Sequence, residues 1–333
     1  MQNNDFLTAL LSFPLYKPTT HMKPALRAAQ AVLLLLLFSS ITFAQRTGGI
    51  PLANTSSIKN KWLNIAYAKN STAQQLDIYL PETGEGPYPV IVSIHGGAFK
   101  MGDKADVQVL PMLEGLKRGY AVVSINYRLS GEAIFPAQIQ DVKAAIRWIK
   151  ANAKQYQLNA DKLAVWGGSA GGHLAAMAGT TGDVIELEDL TMGNANYSSK
   201  IHAVVDWFGP INFNTMDAQF KVSGKGKPDH DDANSPESEL VGKKITDAPD
   251  LVKKANPATY ISKDDPPFFI EHGTVDQLVP TEQSIDFAAV LEKILGKENV
   301  HLKLLEGAGH GTPQFSTKEN LDSVFNFLDK LLK

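Results

Sequence analysis

A chain of 333 residues with 44 % hydrophobic residues can bury one large core, and its 20 % charged fraction argues against extended disorder away from the ends. A formal net charge of -3 removes any global electrostatic case for a nucleic-acid or polyanion partner. The chain has no cysteine, which excludes disulfides, thiolate catalysis, Cys-based metal sites and a lipid on an N-terminal cysteine.

Residues 1–44 read as a targeting segment. Lys23 and Arg27 give a positive flank, Ala28 to Phe38 an apolar core, and Thr42-Phe43-Ala44 before Gln45 a small-x-Ala cleavage site. A transmembrane anchor is the competing reading. The apolar stretch falls short of the ~20 residues a span needs, and Ser39, Ser40 and Thr42 interrupt its end. The expectation is cleavage after Ala44 and export to the periplasm or beyond, with no stable membrane anchor. Met22-Lys23-Pro24 would itself make an ordinary signal-peptide start, so Met22 is a candidate initiator.

From residue 45 onward strands and helices alternate, the pattern of a mostly parallel central sheet with helices on both faces. In chain order the expected elements begin with strands at Leu76–Leu80 and Val90–Ile94, then a helix over Val107–Arg118 and a strand over Tyr120–Ile125. An amphipathic helix follows over Ala137–Tyr156, with Val142, Ala145, Ile146 and Ile149 at helical spacing. Further strands are expected at Lys162–Trp166, Ala203–Phe208, Phe268–Glu271 and His301–Leu305, and helices at Thr281–Leu295 and Thr317–Leu332. Residues 216–254 break the rhythm. They are rich in Gly, Lys, Asp and Pro and too long for an ordinary connection, so they read as a partly mobile surface insertion near the site or as a solvated loop without a role. Asp229 to Asp232 include His230, but adjacent acidic loop residues are usually just hydrated, and no metal site is assigned.

The string Gly167-Gly168-Ser169-Ala170-Gly171 follows an apolar strand and opens a small-residue helical pattern. Strand, sharp turn and helix are the context of a nucleophile elbow, in which small neighbours let strand and helix pack closely while the hydroxyl projects. A serine hydroxyl needs a base, a carboxylate to orient that base, and donors for the oxyanion. His310 lies in a glycine-dense turn after the last strand. Asp276 follows the strand at Phe268–Glu271, where an Asx turn before Pro280 is the alternative use. Asp264, Asp265 and Glu271 are weaker acids for the role, the first two before the strand and the third within it. The order Ser, acid, His is the one that accompanies a nucleophile elbow of this kind. Oxyanion donors are expected at the Ala170 N–H and in the loop His95-Gly96-Gly97-Ala98-Phe99, at Gly97 first and Gly96 next. His95 and His173 read as braces, and His202, His230, His272 and His301 have no evident partners. No phosphate loop, dinucleotide fingerprint or paired metal-ligand spacing is present, so no cofactor is expected. Phe99, Trp207 and Phe208 fall at strand ends near the site, as substrate-binding wall or as core aromatics.

These residues, together with Asn126-Tyr127-Arg128-Leu129, Phe135-Pro136-Ala137-Gln138 with Asp141, and Asp206-Trp207-Phe208-Gly209-Pro210, give the chain a resemblance. From about Asn64 to the C-terminus it resembles carboxylesterases of the α/β-hydrolase fold, of the hormone-sensitive-lipase type. It looks most like secreted bacterial acetyl xylan and feruloyl esterases. Ala98 departs from the pattern, standing where lipase-like members often carry a third glycine. The resemblance implies a serine esterase acting through an acyl-enzyme on a small ester or an acylated carbohydrate. A generic short-chain carboxylesterase or polyester hydrolase, and a non-catalytic hydrolase-fold binding protein, are the alternatives.

Overall fold

The computed structural model describes residues 49–333, so the expected targeting segment lies outside the described residues. Among the described residues eight strands make one sheet: β1 Lys61–Ala66, β2 Gln75–Tyr79, β3 Tyr88–Ile94, β4 Ala121–Ile125, β5 Leu158–Gly168, β6 Ala203–Trp207, β7 Phe268–Gly273 and β8 Val300–Leu305. Their spatial order is β1-β2-β4-β3-β5-β6-β7-β8. β2 runs antiparallel to both β1 and β4, and every pairing from β4 through β8 is parallel.

The helices are α1 Leu110–Leu113, α2 Ala137–Ala151, α3 Ala170–Thr180, α4 Phe213–Ser223, α5 Pro236–Val241, α6 Pro249–Lys254, α7 Glu282–Leu295 and α8 Lys318–Leu332. They cover both faces of the sheet. Val90, Val92 and Ile94 of β3 join the apolar cluster that contains Val142 of α2 and Leu174 of α3. Ile91, between them, joins the opposite cluster with Met112 of α1 and Phe325 of α8. A strand buried on both faces needs an unbroken apolar run, which is why β3 and β4 do not alternate. Trp166 is fully buried in the second cluster, and cutting it to alanine would cost ~3–5 kcal/mol by loss of packing.

Three expected elements differ, the first being the helix expected over Ala137–Tyr156, which ends at Ala151. Val107–Arg118 is a 3₁₀ turn, the short α1 and another 3₁₀ turn ending at left-handed Gly119, because Pro111 and Gly115 interrupt a regular helix. Residues 216–254 form no long loop: α4, α5, the 3₁₀ turn Ile245–Asp247 and α6 occupy much of the stretch. Ser235 caps α5 by accepting from the Ser238 N–H at 3.1 Å, and Pro236 and Pro249 begin α5 and α6. Gly224 and Gly242 close α4 and α5 with positive φ.

Candidate active site

β5 delivers Ser169 at its C-terminal end with φ 56° and ψ −126°, a conformation that side chains disfavour. The surroundings hold it there. Ser169 N–H donates to the Trp207 carbonyl at 2.9 Å, and the Ser169 carbonyl accepts from the His173 N–H at 3.0 Å, the first turn of α3. Close packing explains the flanking glycines: a methyl added to Gly171 would lie 2.1 Å from the Ile94 carbonyl oxygen. Gly167 is held as tightly, 2.2 Å from the Gly171 oxygen on the same test.

β7 and β8 deliver the other two groups. The loops after them are tied together by Thr274 N–H to Leu305 O at 3.0 Å, Val275 N–H to Ala308 O at 3.0 Å and Gly307 N–H to Thr274 Oγ1 at 2.9 Å. His310 Nε2 then lies 2.9 Å from Ser169 Oγ, and His310 Nδ1 lies 2.7 Å from Asp276 Oδ2. Side chains 107 and 34 positions apart in sequence order along the Ser, Asp, His series therefore form one hydrogen-bonded line at one rim of the sheet. The Asx-turn reading of Asp276 also holds: its Oδ1 accepts from Leu278 N–H at 2.8 Å and Val279 N–H at 3.0 Å. One carboxylate oxygen shapes the loop while the other faces the imidazole.

Burial alone would raise the Asp276 carboxyl, but hydrogen bonds from His272 and His310 outweigh it and hold the group well below the usual carboxylate range. His272 is thus a residue whose role sequence reading misses. It is fully buried, and its Nε2 lies 3.3 Å from Asp276 Oδ2 and 3.1 Å from the Val279 carbonyl. Its Nδ1 lies 2.7 Å from Ser284 Oγ. The available signal is the four-residue spacing from His272 to Asp276, but a strand-to-loop path gives no reason from sequence for them to meet.

The loop after β3 carries three consecutive residues with positive φ: Gly97 at 110°, Ala98 at 54° and Phe99 at 60°. Gly97 requires its lack of a side chain, since a methyl there would lie 2.2 Å from the Met101 oxygen. Among the described residues the N–H groups of Gly97, Ala98 and Ala170 donate to no protein acceptor, leaving them free for a substrate oxygen beside Ser169. Gly96 is a correction: its N–H donates to Gln108 Oε1 at 2.9 Å and is not free. What glycine supplies at 96 is proximity, because a methyl there would sit 3.3 Å from Ser169 Cβ and 2.7 Å from the Gly168 oxygen.

Buried polar residues brace this loop. Tyr127 Oη donates to the His95 carbonyl at 3.0 Å and its ring stacks on the His95 imidazole at 4.4 Å. Asn126 accepts from Lys104 N–H at 2.6 Å and donates to Asp103 Oδ2 at 2.8 Å. Arg128 grips fully buried Asp141 through Nε at 2.9 Å and Nη2 at 2.8 Å. His95 and His173 are braces as expected, His173 through Pro210 O at 2.7 Å, and burial lowers both, His173 to about 4.

The three aromatics are largely core. Phe99 packs edge-on against His173, Trp207 against Trp166, and Phe208 against His310 and Phe315. All three are buried and also line cavities at the site, Phe99 the second and Trp207 and Phe208 the first.

Ser169 and His310 stand where two cavities meet. One, about 920 Å³, is walled mainly by apolar groups including Ile94, Val107, Leu110, Trp207 and Leu321. The other, about 800 Å³, is walled largely by the 225–237 segment. In that wall His230 Nδ1 lies 3.3 Å from Glu237 Oε2, although sequence reading gave His230 no partner. Burial opposes charge on His230, but Glu237 and then Asp217 outweigh it and raise the ring.

An eight-stranded, mostly parallel sheet with this elbow and this Ser–His–Asp line defines the α/β-hydrolase class. Within it the chain belongs to the BD-FAE family, whose model matches residues 76–291. It is 32 % identical over 250 residues to the probable carboxylic ester hydrolase LipM of Mycobacterium tuberculosis, covering 72 % of this chain and 54 % of LipM. The chain spans about half the length of the curated relatives it matches, with 56 % of esterase LipQ and 57 % of esterase LipC from the same organism covered. Among solved structures, a truncated carbohydrate esterase from gut microbiota superposes with a TM-score of 0.74 at 35 % identity, over 84 % of this chain and 98 % of that one. A bifunctional GH43-CE protein of Bacteroides eggerthii gives 0.73 at 39 % identity, over 81 % of this chain and 35 % of its own.

Proposed function

We propose that this protein is a serine esterase that removes acyl groups, acetyl or feruloyl, from plant polysaccharide fragments. The observation that carries the esterase reading is the line Ser169 Oγ to His310 Nε2 to Asp276 Oδ2, set on an elbow with unspent N–H donors beside it. Ser169 Oγ attacks the ester carbonyl carbon while its proton passes to His310 Nε2. Asp276 holds His310 in the tautomer that can accept that proton. The developing oxyanion takes donors from Ala170 and from Gly97 or Ala98, each contributing ~3 kcal/mol in the transition state. The carbon–oxygen bond to the alcohol breaks as His310 returns the proton to the leaving oxygen. Water then repeats the cycle on the acyl-enzyme and releases the acid.

The carbohydrate part of the reading rests on the likeness to the gut-microbiota carbohydrate esterase at 35 % identity and to the bifunctional GH43-CE protein at 39 %. Export belongs to the same proposal, and protein recovered from the cell exterior or periplasm is expected to begin at Gln45. Turnover of p-nitrophenyl acetate by the wild type, with a loss of ~10⁴-fold or more in Ser169→Ala, is the expected result. Equal rates in both would overturn the serine mechanism. Acetyl release from acetylated xylan, set beside hydrolysis of methyl ferulate and p-nitrophenyl butyrate, tests the substrate. Preference for p-nitrophenyl butyrate over both plant esters would favour a generic carboxylesterase.

A further inference from the structure

The two cavities at Ser169 differ in chemistry, and an ester has two halves. The apolar cavity suits an acyl group. The second cavity is built otherwise. Lys225, Lys227, Asp232, Asn234 and Gln277 line it, and their side chains hydrogen-bond to no other protein group among the described residues. In the same wall Glu237 is 4 % exposed, with His230 Nδ1 3.3 Å from its Oε2, and His230 Nε2 has no hydrogen-bond partner among the described residues. Buried polar atoms are normally paired, so an unspent nitrogen in the wall of a cavity marks a place where a ligand or water completes the set.

The mix of groups narrows the ligand. Two lysines share the lining with Asp229, Asp232 and Glu237, so there is no positive excess to select a phosphate or carboxylate. The lining offers both donors and acceptors around a space of about 800 Å³, ample for one or two sugar rings. A polyol offers a donor and an acceptor at each hydroxyl, which is what such a wall can satisfy. Ser169 and His310 line this cavity as they line the apolar one, so His310 Nε2 can return its proton to an alcohol oxygen seated here, and it is the polar lining that assigns this side to the alcohol.

We infer that the cavity walled by residues 225–237 is the subsite for the alcohol half of the ester, and that it takes a neutral, polyhydroxylated alcohol, a sugar residue, through Lys227, Asp232, Asn234 and the Glu237–His230 pair. This inference rests on the esterase reading, and it gives the 216–254 region a role in substrate choice. Glu237 and His230 are held rigid by their burial, while the exposed lysines, Asp232 and Asn234 can adapt to different ring orientations.

The test uses the whole chain and two esters that share an acetyl group. One is a monoacetylated xylo-oligosaccharide, and the other is p-nitrophenyl acetate, whose leaving group carries no hydroxyls to read. The doubly substituted Asp232→Ala, Asn234→Ala protein changes only exposed side chains, and Glu237→Gln keeps the volume of the buried one. For both, the ratio of kcat/KM on the sugar ester to kcat/KM on p-nitrophenyl acetate is expected to fall by about tenfold or more, because a site built for hydroxyls loses its discrimination when their partners go. The loss should reside mainly in KM for the sugar ester. An unchanged ratio overturns the inference, and so does a change in preference between p-nitrophenyl acetate and p-nitrophenyl butyrate, which would make this cavity the acyl side. Absence of all wild-type ester hydrolysis would instead overturn the esterase reading itself. Titrating the Ser169→Ala protein with unacylated xylo-oligosaccharide, followed by calorimetry, separates the two failures. Binding that weakens about tenfold in Glu237→Gln supports the subsite even where turnover is absent, and no binding overturns it.

Discussion

His272 Nε2 lies 3.3 Å from Oδ2 of Asp276, the same oxygen that meets His310 Nδ1 at 2.7 Å. The Val279 carbonyl, 3.1 Å from that Nε2, can only accept, so Nε2 carries a proton and Nδ1 accepts from Ser284 Oγ at 2.7 Å. Asp276 thereby has a donor on every side: two backbone N–H groups on Oδ1 and two imidazoles on Oδ2. Such a carboxylate cannot rotate away from His310. Replacing His272 by Phe removes one donor and leaves more of the negative charge for His310. The acid limb of the kcat/KM profile is expected to move to higher pH by about half a unit to one unit. His272→Gln, which can still donate, should recover most of the wild-type profile. Ser284→Ala should act in the same direction but more weakly, because the ring loses the donor that anchors Nδ1 while the Val279 and Asp276 oxygens still keep the proton on Nε2. Identical pH profiles in all three variants would show that His272 only fills space.

Asp276→Asn should keep the fold and lose about 10⁴-fold in kcat, since an amide cannot hold His310 in the required tautomer. Its effect on stability has a defined sign. The folded-state value of Asp276 is depressed, so the carboxylate stabilises the fold above its ordinary unfolded range of ~3.9 and loses that contribution as pH falls below it. The stability gap between wild type and Asp276→Asn, read by urea unfolding, should therefore be widest near neutral pH and shrink below about pH 4. A gap that widens on acidification would contradict the assigned hydrogen bonds.

Much of this site is legible in sequence because it sits where chain direction and burial coincide. Apolar runs fix β3, β5, β6 and β7, and the parallel order then brings Ser169, Asp276 and His310 to the same rim. What sequence leaves out has particular causes. β1 shows mostly exposed residues and a register shift between Trp62 and Ile65, so it lacks the alternation that marks a strand. Gly96 and Gly97 are indistinguishable as letters, and only the reach of Gln108 decides which N–H is spent. His272 and His230 look solitary because their partners arrive from loop closure and from a second helix start, neither of which hydrophobic periodicity reports. The helices of residues 216–254 do announce themselves, in Ser235-Pro236 and in Gly242, once caps are weighed above composition.

Gly97→Ala tests the oxyanion loop without altering a charge. The added methyl would lie 2.2 Å from the Met101 oxygen at a φ of 110°, so the loop must shift to accept it. Global stability should change modestly, because the loop is a small part of the structure, while kcat falls by ~10²-fold with misaligned donors. KM should change much less than kcat, since the lost interaction belongs to the transition state. A fall confined to KM would assign the loop to substrate binding instead.

Asp206 offers the opposite sign of pH dependence from Asp276. It lies on β6 beneath the elbow, fully buried, with Oδ1 accepting from Gly209 N–H at 3.0 Å and Oδ2 without a partner among the described residues. Burial pushes its carboxyl up to about 7, against a smaller opposing effect of the Gly209 hydrogen bond. The folded state therefore holds a proton that the unfolded chain gives up, and stability is lost as pH rises from ~4 toward 7. Asp206→Asn keeps the Oδ1 acceptor and removes the charge that the site resists. Relative to wild type it should gain roughly 4 kcal/mol at pH 8 and almost nothing at pH 4, as read from denaturant midpoints at the two pH values. Kinetic constants should move little, because Asp206 touches the turn after β6 and none of the Ser169, His310 or Asp276 side chains. An equal gain at both pH values would mean that packing, and not the buried charge, governs this position.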